Sequence, residues 1–95
     1  MISPEVLYNL NLEEVLKLLP KKIKYIAIWH WLEIKRGPNT KKRWIVIYGE
    51  HQYCATRLKD CAIQMLLFID EHGYSDIAHR YKMAVKMGYI KPIEY

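Results

Sequence analysis

Along the first twenty positions, hydrophobic residues recur at helical spacing. Leu12, Val15, Leu16 and Leu19 form one stripe, Asn11 precedes it as a cap with Glu14 three residues on, and Pro20 closes the run. Ser3-Pro4-Glu5 reads as an earlier start, a capping serine followed by proline at the first helical position. One kinked helix or two short ones are therefore predicted, with a single buried stripe. After Pro20 the pattern changes. Residues 23–34 and 43–50 are dense in β-branched and aromatic side chains, and Gly37-Pro38-Asn39 between them is turn chemistry, so an antiparallel hairpin is expected. A third strand is expected over 53–56.

Leu58, Cys61, Ala62, Met65, Leu66 and Ile69 then return at i, i+3, i+4, i+7, i+8 and i+11, the clearest periodicity in the chain. Thr56 is the expected cap of this helix and Gly73 its stop after His72. Ile63, Leu67 and Phe68 make the helix apolar nearly all round, so it is either central in the fold or half-covered by a partner chain. Ser75 is the expected cap of a last helix over 76–87, ended by Gly88, with Ile77, Tyr81, Ala84 and Val85 turned inward. The order α-β-β-(β)-α-α predicts an α+β fold, a small antiparallel sheet packed against helices in a single domain over 1–95. Double-stranded-RNA-binding domains share an α-β-β-β-α order, but the likeness is one of order alone. No Gly-Pro-x-His strand motif is present, and Arg57-Leu58-Lys59 is a poor match to the basic cluster that opens that family's last helix.

Alternation within the hairpin predicts two unlike faces. With Trp31 opposite Val46, an eight-residue loop runs from Lys35 to Lys42. Ile26, Ile28, His30, Leu32 and Ile34 then share a face with Ile45 and Ile47, while Tyr25, Trp29, Trp31, Trp44 and Tyr48 share the other. The aliphatic face is the expected seat of the helices; the aromatic face is then a stacking platform for bases, a surface for a protein or a second copy, or a face that the remaining helix covers.

Charge sharpens this picture. The net charge is +5, and the excess lies at Lys21, Lys22 and Lys24 and in the loop Lys35-Arg36-Gly37-Pro38-Asn39-Thr40-Lys41-Lys42-Arg43, which holds five basic residues and no acid. Basic loops beside aromatic faces suit single-strand binders, where rings stack on bases and cations hold phosphates. The last helix adds a basic face of His79, Lys82 and Lys86. Composition excludes some classes. A hydrophobic share of 52% is incompatible with a disordered chain, and no apolar run reaches the ~20 residues that cross a bilayer. The two cysteines, Cys54 and Cys61, are expected as free thiols in a cytoplasmic protein.

Catalytic signatures are missing. There is no glycine-rich phosphate loop and no Gly-x-Ser-x-Gly elbow, and His51, Cys54, Cys61, His72 and His79 match no zinc spacing. The expectation is a non-enzymatic binding protein with no cofactor, no metal, no small-molecule substrate and no membrane partner. Trp29, Trp31, Trp44 and Tyr48 would stack on bases, and Lys35, Arg36, Lys41, Lys42 and Arg43 would hold phosphates of a single strand or a backbone. The alternative is a protein-interaction factor of the kind carried by phages and mobile elements. It would act as a stoichiometric inhibitor of a nucleic-acid-handling or defence complex, most naturally as a homodimer.

Overall fold

A computed structural model describes residues 1–91. The chain forms helices α1 (Pro4–Tyr8) and α2 (Leu12–Leu18), strands β1 (Lys22–Tyr25), β2 (Ile28–Arg36), β3 (Trp44–Tyr48) and β4 (His51–Ala55), and helices α3 (Leu58–His72) and α4 (Ile77–Lys86). The strands make one antiparallel sheet in the order β1-β2-β3-β4. The expected α+β architecture is present, with one more strand than the pattern predicted.

The helix ends follow local chemistry. Asn11 and Glu14 close a reciprocal capping box, Asn11 Oδ1 accepting from the Glu14 amide at 2.9 Å and Glu14 Oε1 from the Asn11 amide at 3.0 Å. Gly73 stops α3 in the left-handed region at φ 71°. Two caps differ from expectation. The Thr56 hydroxyl donates to the Lys41 carbonyl instead of capping α3, whose N-cap is Arg57. Asp76, not Ser75, caps α4, its carboxylate accepting from the His79 amide at 2.9 Å.

α3 is the central element. Cys61, Ala62, Ile63, Met65, Leu66 and Ile69 are buried, and the helix packs on β3, β4, α1, α2 and α4. Its apolar circumference is thus explained within the chain and calls for no partner. Leu7, Val15, Leu18, Ile23, Val46, Tyr48 and Ile77 are among the residues that share this core. All the sheet residues in or against this core (Ile23, Leu32, Trp44, Val46, Tyr48, Tyr53 and Ala55) lie on one side of the sheet.

The hairpin register differs from the one expected. Val46 pairs with Ile34 rather than Trp31, a slip of three residues, so Leu32 opposes Tyr48 and Arg36 opposes Trp44. An odd slip exchanges faces. Trp44 and Tyr48 therefore turn toward the helices, and Ile45 and Ile47 turn away with Trp29, Trp31, Glu33 and Lys35. The loop closes one residue shorter than expected, over Gly37 to Arg43, with the Gly37 amide donating to the Arg43 carbonyl at 2.8 Å. A Cβ on Gly37 would lie 1.4 Å from the Lys42 carbonyl oxygen, so only glycine permits this closure.

The stretch 23–34 is also not one strand. The chain reverses at Ile26-Ala27, so that Tyr25 opposes Ile28. Ile26 and Ala27 stand at φ 49° and 60°, the positive values that both central residues of a type I′ turn require. Asn-Gly is the low-strain pair there; a β-branched residue at positive φ is unusual. Replacing the pair with Asn-Gly should therefore raise stability by about 1–2 kcal/mol, measured by urea denaturation, since left-handed geometry costs L-residues roughly 1–2 kcal/mol each and the new glycine gives part of that back.

Candidate nucleic-acid interface

β2 serves two neighbours in succession. Ile28 to Trp31 pair with β1, and Leu32 to Arg36 pair with β3. Because directly opposed residues share a face, the side of the sheet away from the helices carries Lys22 and Lys24 from β1 and Trp29, Trp31, Glu33 and Lys35 from β2. β3 contributes Ile45 and Ile47, and β4 contributes Gln52 and Cys54. Ile47, flanked in the ladder by Glu33 and Gln52, is only 7% exposed. Trp29 and Trp31 are 51% and 64% exposed, large values for indoles.

Lysines surround these two rings. Lys22 Nζ sits 4.6 Å from the Trp29 ring centroid and 5.0 Å from that of Trp31, and Lys24 Nζ lies 5.9 Å from Trp29. These are cation–π distances, so the ammonium groups are held at the indoles rather than dispersed in solvent. Among the described residues the one ion pair is Arg57 with Asp60, so no carboxylate is bonded to Lys22, Lys24 or Lys35. Glu33 is the single acid on this face.

The basic loop is organised, not slack. Asn39 Oδ1 accepts from the amides of Lys41 and Lys42 at 3.0 and 2.9 Å, a local turn bond that folds the loop back on itself. Arg36, Asn39, Thr40, Arg43 and Thr56 help line a shallow depression of about 590 Å³ at this end of the sheet. Lys41 and Lys42 stay exposed beside it.

The nine residues expected to act together thus fall into three places. Trp29, Trp31 and Lys35 share the open face. Arg36, Lys41, Lys42 and Arg43 gather at the loop. Trp44 is half-buried on the helical side, with the Arg36 guanidinium 4.1 Å from its ring centroid, so it is not part of the open face. Tyr48 is wholly buried, and its hydroxyl donates to the Pro20 carbonyl, so it is unavailable to a base. Burial pushes its phenol well above the usual tyrosine range, against the opposing pull of the Arg80 charge. Arg80 itself donates to the Leu18 carbonyl at 2.8 Å and ties α4 to α2. His79, Lys82 and Lys86 are exposed on α4, beside Met83 and Met87, away from the open sheet face.

Sequence reasoning missed the position of Lys22 and Lys24 beside the indoles. Their charge was visible, but their place beside the indoles depends on the Ile26-Ala27 reversal, which carries no glycine, proline or asparagine to signal it. It also missed what mounts the hairpin. Tyr25 meets the rings of His51 and Tyr74 at 4.7 and 5.6 Å, and His51 and His72 pack on Phe68 at 4.7 and 4.2 Å. His51 Nε2 is buried there without a hydrogen-bond partner. On the open face Cys54 is half-exposed, whereas the Cys61 thiol is buried, which pushes its pKa up and makes it a poor nucleophile. Both cysteines are free.

No family model matches the chain, and neither the curated proteins nor the solved structures compared with it give a match. Among the described residues, no helix is long and apolar enough to cross a membrane.

Proposed function

We propose that this chain is a non-enzymatic nucleic-acid-binding protein that holds a single strand across the open face of its sheet. The observation that carries this reading is the pair of exposed indoles, Trp29 and Trp31, with Lys22 and Lys24 held at their rings. Bases of any sequence can stack on such rings, and the ammonium groups are close enough to meet the phosphates between them. Lys35 continues the cationic side of the face, and Lys41, Lys42 and Arg43 would take the strand as it leaves past the loop. Phosphate contacts of this kind position a strand without reading its sequence.

Tryptophan fluorescence tests the reading. Single-stranded oligonucleotides should quench the emission saturably at low salt. With about four phosphates neutralised, a fourfold rise in salt should weaken binding about 50-fold. An emission unchanged by any oligonucleotide at low salt sinks the proposal.

Ile26 and Ile28, 72% and 59% exposed, favour a second reading in which the same hairpin docks on a protein or on a second copy of the chain. This is the interaction factor of phage or mobile-element type. Light scattering after size exclusion separates the two readings: a dimer that dissociates when Trp31 is replaced by serine supports the second.

A further inference from the structure

The β1–β2 hairpin has features that a flat stacking face does not require. Its turn residues, Ile26 and Ala27, are L-residues held at positive φ. Its tip is apolar on both sides: Ile28 projects from the helical side, Trp29 from the open side, and Ile26 stands at the apex, at 59%, 51% and 72% exposed. A platform for bases needs one apolar face. A tip whose exposed positions are apolar at the apex and on both sides of β2, with Tyr25 seated on the body behind it, is shaped to enter something. Backbone strain concentrates at sites where it serves a purpose, and here it lies at the apex. The mount is firm, because Tyr25, which opposes Ile28 next to the turn, packs edge-on against His51 and Tyr74.

The lysines decide what the tip enters. Protein–protein interface cores are depleted of lysine, yet Lys22 and Lys24 are held at the ring immediately behind the tip. Phosphates on either side of a parted base step would complement both charges. Isoleucine is among the side chains that act as apolar wedges between base steps. We infer that Ile26 and Ile28 form a wedge that parts the last base pair where a duplex opens into a single strand. Trp29 and Trp31 receive the freed strand, and Lys22 and Lys24 hold its phosphates. This rests on the nucleic-acid reading above and adds the form of nucleic acid: a forked junction rather than a continuous strand.

Fluorescence anisotropy with three labelled probes (a single strand, a blunt duplex and a fork with an arm of the same sequence as the single strand) tests it on the full chain. The wild type should bind the fork at least about tenfold tighter than the single strand, since parting a terminal pair is repaid by contacts on both sides of it. The double variant Ile26→Asn, Ala27→Gly relieves the turn and removes the apex, so it should fold at least as well. It should bind the single strand within about twofold of wild type and lose the fork preference. Equal binding of fork and single strand by the wild type overturns the wedge and leaves the nucleic-acid reading standing, as does a preference that survives in the variant. Failure of every probe to bind at low salt overturns both. Tighter binding to phosphatidylserine vesicles than to any probe assigns the tip to a lipid surface and overturns the wedge.

Discussion

Replacing Tyr48 with alanine should destabilise the fold by about 3–5 kcal/mol, and replacing it with phenylalanine by about 1–3 kcal/mol. The ring is wholly buried between the sheet and the helices, so truncation removes a large apolar volume that rigid neighbours cannot refill. The phenylalanine variant keeps that volume and removes only the hydroxyl that donates to the Pro20 carbonyl. A buried acceptor at the end of α2 then loses its partner, and that desolvation cost is what the smaller figure measures. Urea denaturation at neutral pH checks both values.

The same hydroxyl makes stability depend on alkaline pH. Burial raises the Tyr48 phenol above its ordinary value of 10.0 in the folded chain, while the unfolded chain titrates near that value. The folded state therefore keeps a proton that the unfolded state has already lost. By linkage the contribution is fully present below about pH 10 and drains away as the pH rises beyond it. Between pH 8.5 and about 10.5 the wild type should lose more stability than the Tyr48→Phe variant, since the other tyrosines are common to both. Parallel losses in the two proteins would mean that the Tyr48 hydroxyl is not the titrating group.

Tyr48 also shows what a sequence can and cannot reveal about a sheet. α3 was legible because its stripe repeats over four turns and ends at a glycine, and the Asn11–Glu14 box was legible because capping is local chemistry. Register is not local. Sorting aliphatic from aromatic residues favoured one pairing of β2 with β3, but the observed pairing puts Tyr48 on the helical side, where its ring is buried and its hydroxyl donates to the Pro20 carbonyl just past α2. The loop then closed through Gly37 and Arg43, three residues out of the expected pairing, and every side chain of β3 changed face. The Ile26-Ala27 reversal escaped for the opposite reason. Its turn residues resist the conformation they adopt, and the contacts of Tyr25 with His51 and Tyr74, far away in sequence, hold the hairpin in place. Of the candidate site, the loop charges and the two open indoles were legible, because exposed lysines and a shared strand parity survive an error of pairing. Trp44 and Tyr48 were lost to the register.

Removing both open indoles should abolish useful binding while barely touching the fold. A stacked base contributes about 1–3 kcal/mol by alanine substitution, so the Trp29→Ala, Trp31→Ala variant should bind a single strand about 30-fold to 20,000-fold more weakly. Both rings are at least half exposed and neither belongs to the core cluster, so its denaturation midpoint should move little. Trp44→Ala should behave in the reverse manner. That ring packs against the core and holds the Arg36 guanidinium, so stability should fall while single-strand affinity changes by less than about threefold. The crossed pair is what gives the test its power, because an unstable protein also binds poorly. Loss of affinity in the stable double variant, with affinity retained in the less stable Trp44 variant, can arise only if the open face makes the contact. A third variant, Lys41→Ala with Lys42→Ala, separates stacking from charge. It should flatten the salt dependence, reducing the slope of log affinity against log salt by about 1.4 if both side chains meet phosphates, and leave the fluorescence quench at saturation unchanged. A slope equal to that of the wild type would place the strand entirely on the sheet and take the loop out of the interface.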